Sequence, residues 1–162
     1  SLRGFPPSLT QAIMGLAERA GPGPEGSGDI TAVYSVLVAG SDMEEPVADI
    51  LRGVLDGHVV LDRRIAERGR FPAIDLLRSV SRSLPEAATE EENDLISEAR
   101  RLLGAYDRAE MMIQAGLYAN GSDPLIDRAI KVWPQLDAFL AEPAPANGAK
   151  GSFERLRACL HG

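Results

Sequence analysis

The chain has 162 residues and a mass of 17.3 kDa, which is the length of one domain or of a domain and a half. Its 44% apolar residues can form a core, whereas its net charge of −7 makes it a poor candidate for passive binding to nucleic acid or anionic membranes, because phosphate contacts require positive charge. One cysteine, Cys159, and two histidines, His58 and His161, exclude a disulfide framework, a multi-thiolate zinc site and a His-rich metal centre.

The start of the chain and its hydropathy predict its location. No apolar run reaches the ~18 residues of a membrane-spanning helix, and no basic region followed by an apolar one marks a signal peptide. Cytoplasmic location is therefore the default expectation. The chain also begins without Met, in a loop that contains Gly4, Pro6 and Pro7, from which we expect it to continue a longer protein.

The first sixty residues predict part of an α/β sheet. Ser8 is expected to cap a short amphipathic helix that stops at Gly21, and the Gly- and Pro-rich tract 21–28 is expected to be a turn. Residues 30–38 (ITAVYSVLV) are uncharged and almost wholly apolar, which predicts a strand buried on both faces. A helix from Pro46 up to Gly57 and a strand at 58–61 would complete a βαβ unit.

After a short helix at 63–68, a turn at 69–75 and a mixed segment at 76–84, the pattern becomes helical. Thr89 and the acidic residues after it predict a capped helix of about 25 residues. A second helix is predicted at 126–140, and a Pro/Ala/Gly linker at 141–151 precedes a terminal helix. We therefore expect part of an α/β domain up to about residue 85 and an all-helical region after it.

No phosphate-binding loop, dinucleotide fingerprint, nucleophile–base pair or metal-ligand spacing is present in the sequence. Six stretches nevertheless fit a known pattern in order. They are 3–8 (RGFPPS), 29–38 (DITAVYSVLV), 55–61 (LDGHVVL), 66–75 (AERGRFPAID), 79–82 (SVSR) and 119–124 (ANGSDP). Together they closely resemble the C-terminal third to two-fifths of the flagellar and type III secretion export ATPases, which are relatives of the F1 rotary ATPase α and β subunits.

The resemblance covers roughly residues 3–141 and implies an α/β fold, the C-terminal part of a RecA-like P-loop NTPase core followed by a helical domain. It implies that residues 1–85 belong to the core, 86–141 to the helical domain, and 142–162 to a linker and terminal helix. The phosphate loop and the Mg²⁺-binding and water-activating residues of the family would precede Ser1. Asp62 stands where relatives often have Ser, which we expect to alter only a helix cap.

Arg82 and Phe71 are the residues to which the resemblance assigns a function. Taken alone, Arg82 could be a solvated surface charge; the family pattern implies an arginine finger that reaches the γ-phosphate of ATP in the neighbouring subunit. Phe71 could be a core aromatic; the family pattern implies that Phe71, with Pro72, contacts the adenine of the subunit's own nucleotide. Tyr106 could help to close that pocket, although a core role is the simpler interpretation.

Other polar or reactive residues have simpler structural interpretations. His58 is interpreted as a strand histidine with satisfied hydrogen bonds, and Asp75 as a residue that binds backbone at a turn. Met111 and Met112 are expected to be packing residues, and Cys159 a small buried apolar residue. The acidic residues before the second helix are expected to be solvated loop and helix-start charges rather than a metal cluster; they are Asp42, Glu44 and Glu45.

The resemblance implies an ATP- and Mg²⁺-dependent protein-export ATPase that works as a homohexameric ring. Its partners would be the flagellar or type III export apparatus, a stalk-like coiled coil and export chaperone–substrate complexes. It would associate with the membrane only peripherally, at the inner face of that apparatus. This chain alone is expected to lack ATPase activity. Two alternatives remain: a non-catalytic helical adaptor for secretion partners, and an F1-type ATP synthase subunit, which residues 55–61 disfavour.

Overall fold

A computed structural model of the chain describes residues 4–40 and 42–162. Arg3, which opens the first of the six stretches, and Ser41 lie outside the described residues. The chain divides into two compact units, Ser1–His58 and Val59–Gly162, and the division falls within the first strand.

The first unit contains two packed helices, α1 (Leu9–Ala17) and α2 (Pro46–Val54), which confirm the helices predicted there. Ile13 of α1 and Ala48 of α2 are its buried apolar residues within the described part of the unit. Pro46 opens α2, where a missing N–H costs nothing. Ser8 stands at the N-cap of α1, but its side chain makes no capping hydrogen bond because its backbone is already helical.

The buried strand predicted at 30–38 is wrong. Only Ile30 pairs, in an isolated antiparallel bridge with Gly21, and Val33 and Leu37 are 92% and 96% exposed. A strand requires a neighbour for its backbone groups, and no segment of residues 4–40 or 42–162 pairs with 31–38. Exposure nevertheless alternates, since Tyr34, Val36 and Val38 are half-buried. The segment is therefore covered on one face and open on the other.

The sheet of this chain lies further along and has two strands, β1 (Gly57–Leu61) and β2 (Ile74–Ser81). Between them is the short helix α3 (Arg63–Glu67), so the strand–helix–strand arrangement occurs one element later than predicted. Asp62 caps α3 by accepting a 2.8 Å hydrogen bond from the backbone N–H of Arg64, which confirms that this position forms a helix cap.

Three helices form the rest of the second unit: α4 (Glu90–Gln114), α5 (Pro124–Ala141) and α6 (Ala149–His161). Thr89 and Glu92 form the predicted capping box, and α4 has the predicted 25 residues. The three helices pack against one another around one apolar core. That core consists of Leu95, Ala99, Leu102, Ala105, Ala129, Val132, Leu136, Leu156 and Leu160.

The end of α4 projects beyond this core. Met111 and Met112 are 85% and 51% exposed, so their expected role as packing residues is wrong. The helical period continues through them, but α4 has run past the residues of α5 and α6 that bury its earlier turns. Among residues 4–40 and 42–162, no helix is both long enough and apolar enough to cross a bilayer.

Candidate functional site

Phe71 and Pro72 lie in the turn that joins α3 to β2. Gly69 opens the turn with a φ of +85°, a conformation that favours glycine, and its N–H donates to the carbonyl of Ala66 at 2.9 Å. The side chain of Phe71 is 63% exposed. An exposed aromatic face beside a proline is suited to stacking on a planar base.

The guanidinium of Arg70 spans this turn. Its Nε lies 3.0 Å from Oδ1 of Asp137 on α5, and its Nη2 donates to the carbonyl of Ile74 at 3.1 Å. Arg70 is 12% exposed at its side chain, and among the described residues no group accepts a hydrogen bond from its buried Nη1. The carboxylate of Asp137 is therefore the main compensation for a largely buried charge.

The β2 strand is fixed by a buried hydroxyl. Ser79 is 8% exposed; its Oγ accepts from the backbone N–H of Val60 at 2.9 Å and donates to the carbonyl of Asp75 at 2.7 Å. The side chain thereby ties β2 to β1 and satisfies both of its hydrogen-bonding capacities.

Arg100 of α4 also holds β2. Its Nη1 and Nη2 donate to the carbonyls of Leu76 and Leu77, at 3.0 and 3.3 Å. Through these two hydrogen bonds the forked guanidinium attaches β2 to α4.

Arg82 follows the last residue of β2 and is exposed. Phe71 precedes the first residue of the same strand, so the two side chains lie at opposite ends of β2. The structure thus places the two predicted site residues beyond opposite ends of one strand, an arrangement that would suit side chains serving different nucleotides.

Tyr106 belongs to the helical core, as the simpler interpretation predicted. Its ring stacks on Trp133 of α5, with 4.5 Å between the ring centroids and 15° between the planes. Burial, followed by the negative charge of Glu110, raises the pKa of the Tyr106 hydroxyl above its ordinary value.

The other singled-out residues have structural roles. Asp75 accepts from the backbone N–H of Arg78 at 3.3 Å, as predicted, and His58 lies half-buried on β1, which agrees with its expected place on a strand. Cys159 is half-buried against the helical core, where burial raises the pKa of its thiol.

The acidic residues before α2 lie in a connection, where Asp42 accepts from the N–H of Glu44 at 3.0 Å. No metal-binding cluster of three or more acidic, His or Cys side chains occurs in residues 4–40 and 42–162.

Arg70, Arg100 and Asp137 were not among the residues predicted from the sequence. Arg70 adjoins the Phe71–Pro72 pair, so its position in the sequence could have identified it as a site residue. No sequence feature identifies Asp137, because its partner is distant in the chain and a single sequence does not reveal pairs of contacting residues.

This two-part arrangement, the end of an α/β core followed by a helical domain, is found in known ATPases. The model of the ATP synthase alpha/beta family, nucleotide-binding domain, matches residues 1–81, and that of the T3SS EscN ATPase C-terminal domain matches residues 88–156. The chain belongs to the ATP synthase alpha/beta family.

Among curated relatives, the "Flagellum-specific ATP synthase" of Salmonella typhimurium is 44% identical over 153 residues, which are 94% of this chain and 32% of the relative. The chain thus spans about a third of the length of this relative. Among solved structures, the assembled ATPase EscN of enteropathogenic E. coli has a TM-score of 0.85 at 35% identity, covering 97% of this chain and 38% of EscN. EscN in complex with its central stalk EscO has a TM-score of 0.83 at 37% identity, covering 97% and 37%.

The likeness to EscN confirms the predicted fold class. A small sheet followed by helices is the C-terminal part of this ATPase fold, with its helical domain. The resemblance found from the six stretches is confirmed by the two family models and by the flagellar and type III secretion relatives.

Proposed function

We propose that the chain is the C-terminal part of a flagellar or type III secretion protein-export ATPase, which hydrolyses ATP as a homohexamer to drive substrate unloading and export. The observation that carries the proposal is the exposed Arg82 at the end of β2, in a chain that shares the fold of an assembled ATPase. The division at residue 85 into core and helical domain belongs to the proposal, and it is supported by family models that match on either side.

In this proposal Arg82 acts on the ATP of the neighbouring subunit. Negative charge develops on the γ-phosphoryl oxygens in the transition state, and a planar guanidinium that is always charged can bind two of them. Its exposure at the end of a strand, rather than in the core, agrees with what a contact to a neighbouring subunit requires. The hydroxyl of Ser79 and the guanidinium of Arg100 hold the strand that presents it.

Phe71 and Pro72 would contact the adenine of the subunit's own ATP. The 63% exposure of Phe71 supports this role, because a side chain buried in the core could not stack on a base. The described residues contain no acidic cluster suited to Mg²⁺. In the proposal the ion would be held mainly by the part of the family's core that lies outside the matched region.

The helical domain would face the partners. An apolar set at the end of α4 and in the loop after it is exposed, as a protein-binding surface would be; it consists of Met111, Met112 and Leu117. The EscN complex with its stalk supports a stalk-like partner, and the assembled EscN supports a ring. We propose further that the export apparatus and chaperone–substrate complexes bind here, in the cytoplasm at the inner face of the membrane apparatus.

The test uses a chimera in which residues 1–162 replace the matching C-terminal third of the Salmonella flagellum-specific ATP synthase. The chimera is expected to hydrolyse ATP and to restore motility to a strain that lacks the enzyme. Arg82→Ala is expected to lower kcat by about 10³- to 10⁵-fold while ATP binding is kept. Arg78→Ala, on the same strand, is the matched control and should leave turnover within about twofold.

A mixed ring distinguishes action on the neighbour from action within the subunit. Arg82→Ala subunits are combined with subunits whose phosphate loop, in the Salmonella portion, is disabled. Each kind is inactive alone, but the mixture recovers turnover if Arg82 reaches across the interface. A mixture that stays inactive although rings assemble would exclude the finger.

The alternatives give different results. An adaptor would bind secretion partners whether or not Arg82 is present, and the chimera would not hydrolyse ATP. An F1-type subunit would co-purify with a membrane rotor rather than with export components. The 162-residue chain alone serves as the negative control, and Arg82-dependent turnover by it would contradict the proposal.

A further inference from the structure

The position of Phe71 depends on its backbone rather than on its own side-chain contacts. With 63% of its surface exposed, the ring has little protein around it to fix its place. Residues 70 and 74 flank the turn that carries Phe71, and the Arg70 guanidinium connects them by its 3.1 Å hydrogen bond to the carbonyl of Ile74. The Arg70 side chain therefore links the two ends of the turn.

The Arg70 side chain also forms an ion pair with the helical domain. Asp137, which lies 3.0 Å from Nε of Arg70, follows Leu136, a core residue that is only 2% exposed. One turn earlier on α5, Trp133 stacks on Tyr106 of α4. The carboxylate of Asp137 thus projects from a rigid, packed segment, and its ion pair with the guanidinium holds Arg70 beside α5.

We propose that Arg70 and Asp137 are positioning residues for nucleotide binding: α5 fixes the guanidinium of Arg70, and the guanidinium fixes the turn that presents Phe71 to adenine. This inference rests on the proposed adenine contact of Phe71. It adds a route by which the helical domain, where partners would bind, determines the affinity for ATP.

The pair acts on binding and not on the chemical step. Phe71 would contact the base, which does not change during hydrolysis, so a misplaced ring weakens the ground state and the transition state equally. Such a loss raises KM and leaves kcat unchanged. Arg82, at the other end of β2, is not part of this effect.

The experiment measures KM and kcat for ATP in the full-length chimera. Phe71→Ala is expected to raise KM about 5- to 100-fold, as for the loss of a base–aromatic stack. Asp137→Asn is expected to raise KM about fivefold or more, with kcat within about twofold. Asp137→Glu, which keeps the charge, should recover at least half of that loss. Arg68→Gln is the matched control, because Arg68 pairs with Glu110 of α4 at 2.7 Å but does not span the turn.

The double variant Phe71→Ala/Asp137→Asn decides whether Asp137 acts through Phe71. If it does, the KM of the double variant equals that of Phe71→Ala; effects that multiply would overturn the inference, as would an equal rise in Arg68→Gln. If Asp137→Asn does not assemble, Arg70→Lys is used in the same cycle. A KM unchanged in Phe71→Ala contradicts the proposed adenine contact itself, whereas an effect of Phe71→Ala without one of Asp137→Asn contradicts only the positioning.

Discussion

Asp62 gives this chain a contribution to stability that depends on pH. Its carboxylate accepts from the side chain of Arg64, at 2.9 Å from Nη2, and from the Arg64 backbone N–H. The side-chain hydrogen bond of Arg64 is the largest influence; burial opposes it, but the pKa of Asp62 is lowered from 3.8. Because the folded pKa is lowered, the stabilisation is present above pH 3.8 and is lost as pH falls through the folded pKa.

We therefore expect Asp62→Ala to reduce the free energy of unfolding by about 0.5–2 kcal/mol at neutral pH, through loss of the cap of α3. The difference from the original chain should shrink as the pH falls below 3.8. Urea unfolding followed by the fluorescence of Trp133, the single tryptophan, measures it. Asp62→Asn, which can still cap, is the control; a difference that grows at acid pH would contradict the assignment.

Single residues show how far sequence alone could define the site. The exposed positions of Phe71 and Arg82 agree with what their proposed roles require, but the roles themselves stay predictions. The family pattern identified these two residues because they lie within two of the six stretches that carry the resemblance, 66–75 and 79–82. The pair of Arg70 and Asp137 could not be found in that way, because it exists only once α5 packs beside the turn.

At the scale of elements, the long helix α4 depends on its first turn. The N–H of Glu92 donates to Oγ1 of Thr89 at 3.2 Å, and the N–H of Thr89 donates to the Glu92 carboxylate at 2.9 Å. Thr89→Ala is expected to lower the free energy of unfolding by about 1 kcal/mol, because one of these N–H groups loses its acceptor. Thermal unfolding followed by circular dichroism tests this, with Thr89→Ser as the control that should retain most of the stability.

Helices and strands differed in how well they could be predicted. The helices α1, α2, α4, α5 and α6 carry periodic apolar residues, with caps or Pro at several of their starts, and these signals are local. Strands depend on partners elsewhere. β2 interleaves apolar residues with arginine and serine, so its sequence gave no clear strand pattern. It forms because β1 and Arg100 supply hydrogen-bond partners for its backbone. Residues 31–38 have the better strand composition but no partner in the described chain.

At the scale of the whole molecule, burial is distributed unevenly between the two units. Of the buried apolar residues in the described chain, those in Ser1–His58 are Ile13 and Ala48, whereas a continuous core joins α4, α5 and α6 in Val59–Gly162. Because apolar burial is the dominant favourable contribution to folding, the second unit is expected to be the more stable one.

Hydrogen exchange can test whether residues 31–38 form a strand when the rest of the core is present. In the chain alone, none of their amides donates to a backbone carbonyl in the described structure, so they should exchange nearly as fast as in an unfolded peptide, while amides in the middle of α4 and α5 are strongly protected. In the chimera with the Salmonella portion, the same amides should become protected by at least about tenfold. Neighbouring strands of a complete core would accept their hydrogen bonds and would cover the open face of Val33 and Leu37.

Residues 22–28, a Gly- and Pro-rich loop in both proteins, are the internal control and should exchange equally fast in each. Rapid exchange of 31–38 in an active chimera would show that the apolar composition of this segment serves something other than a sheet.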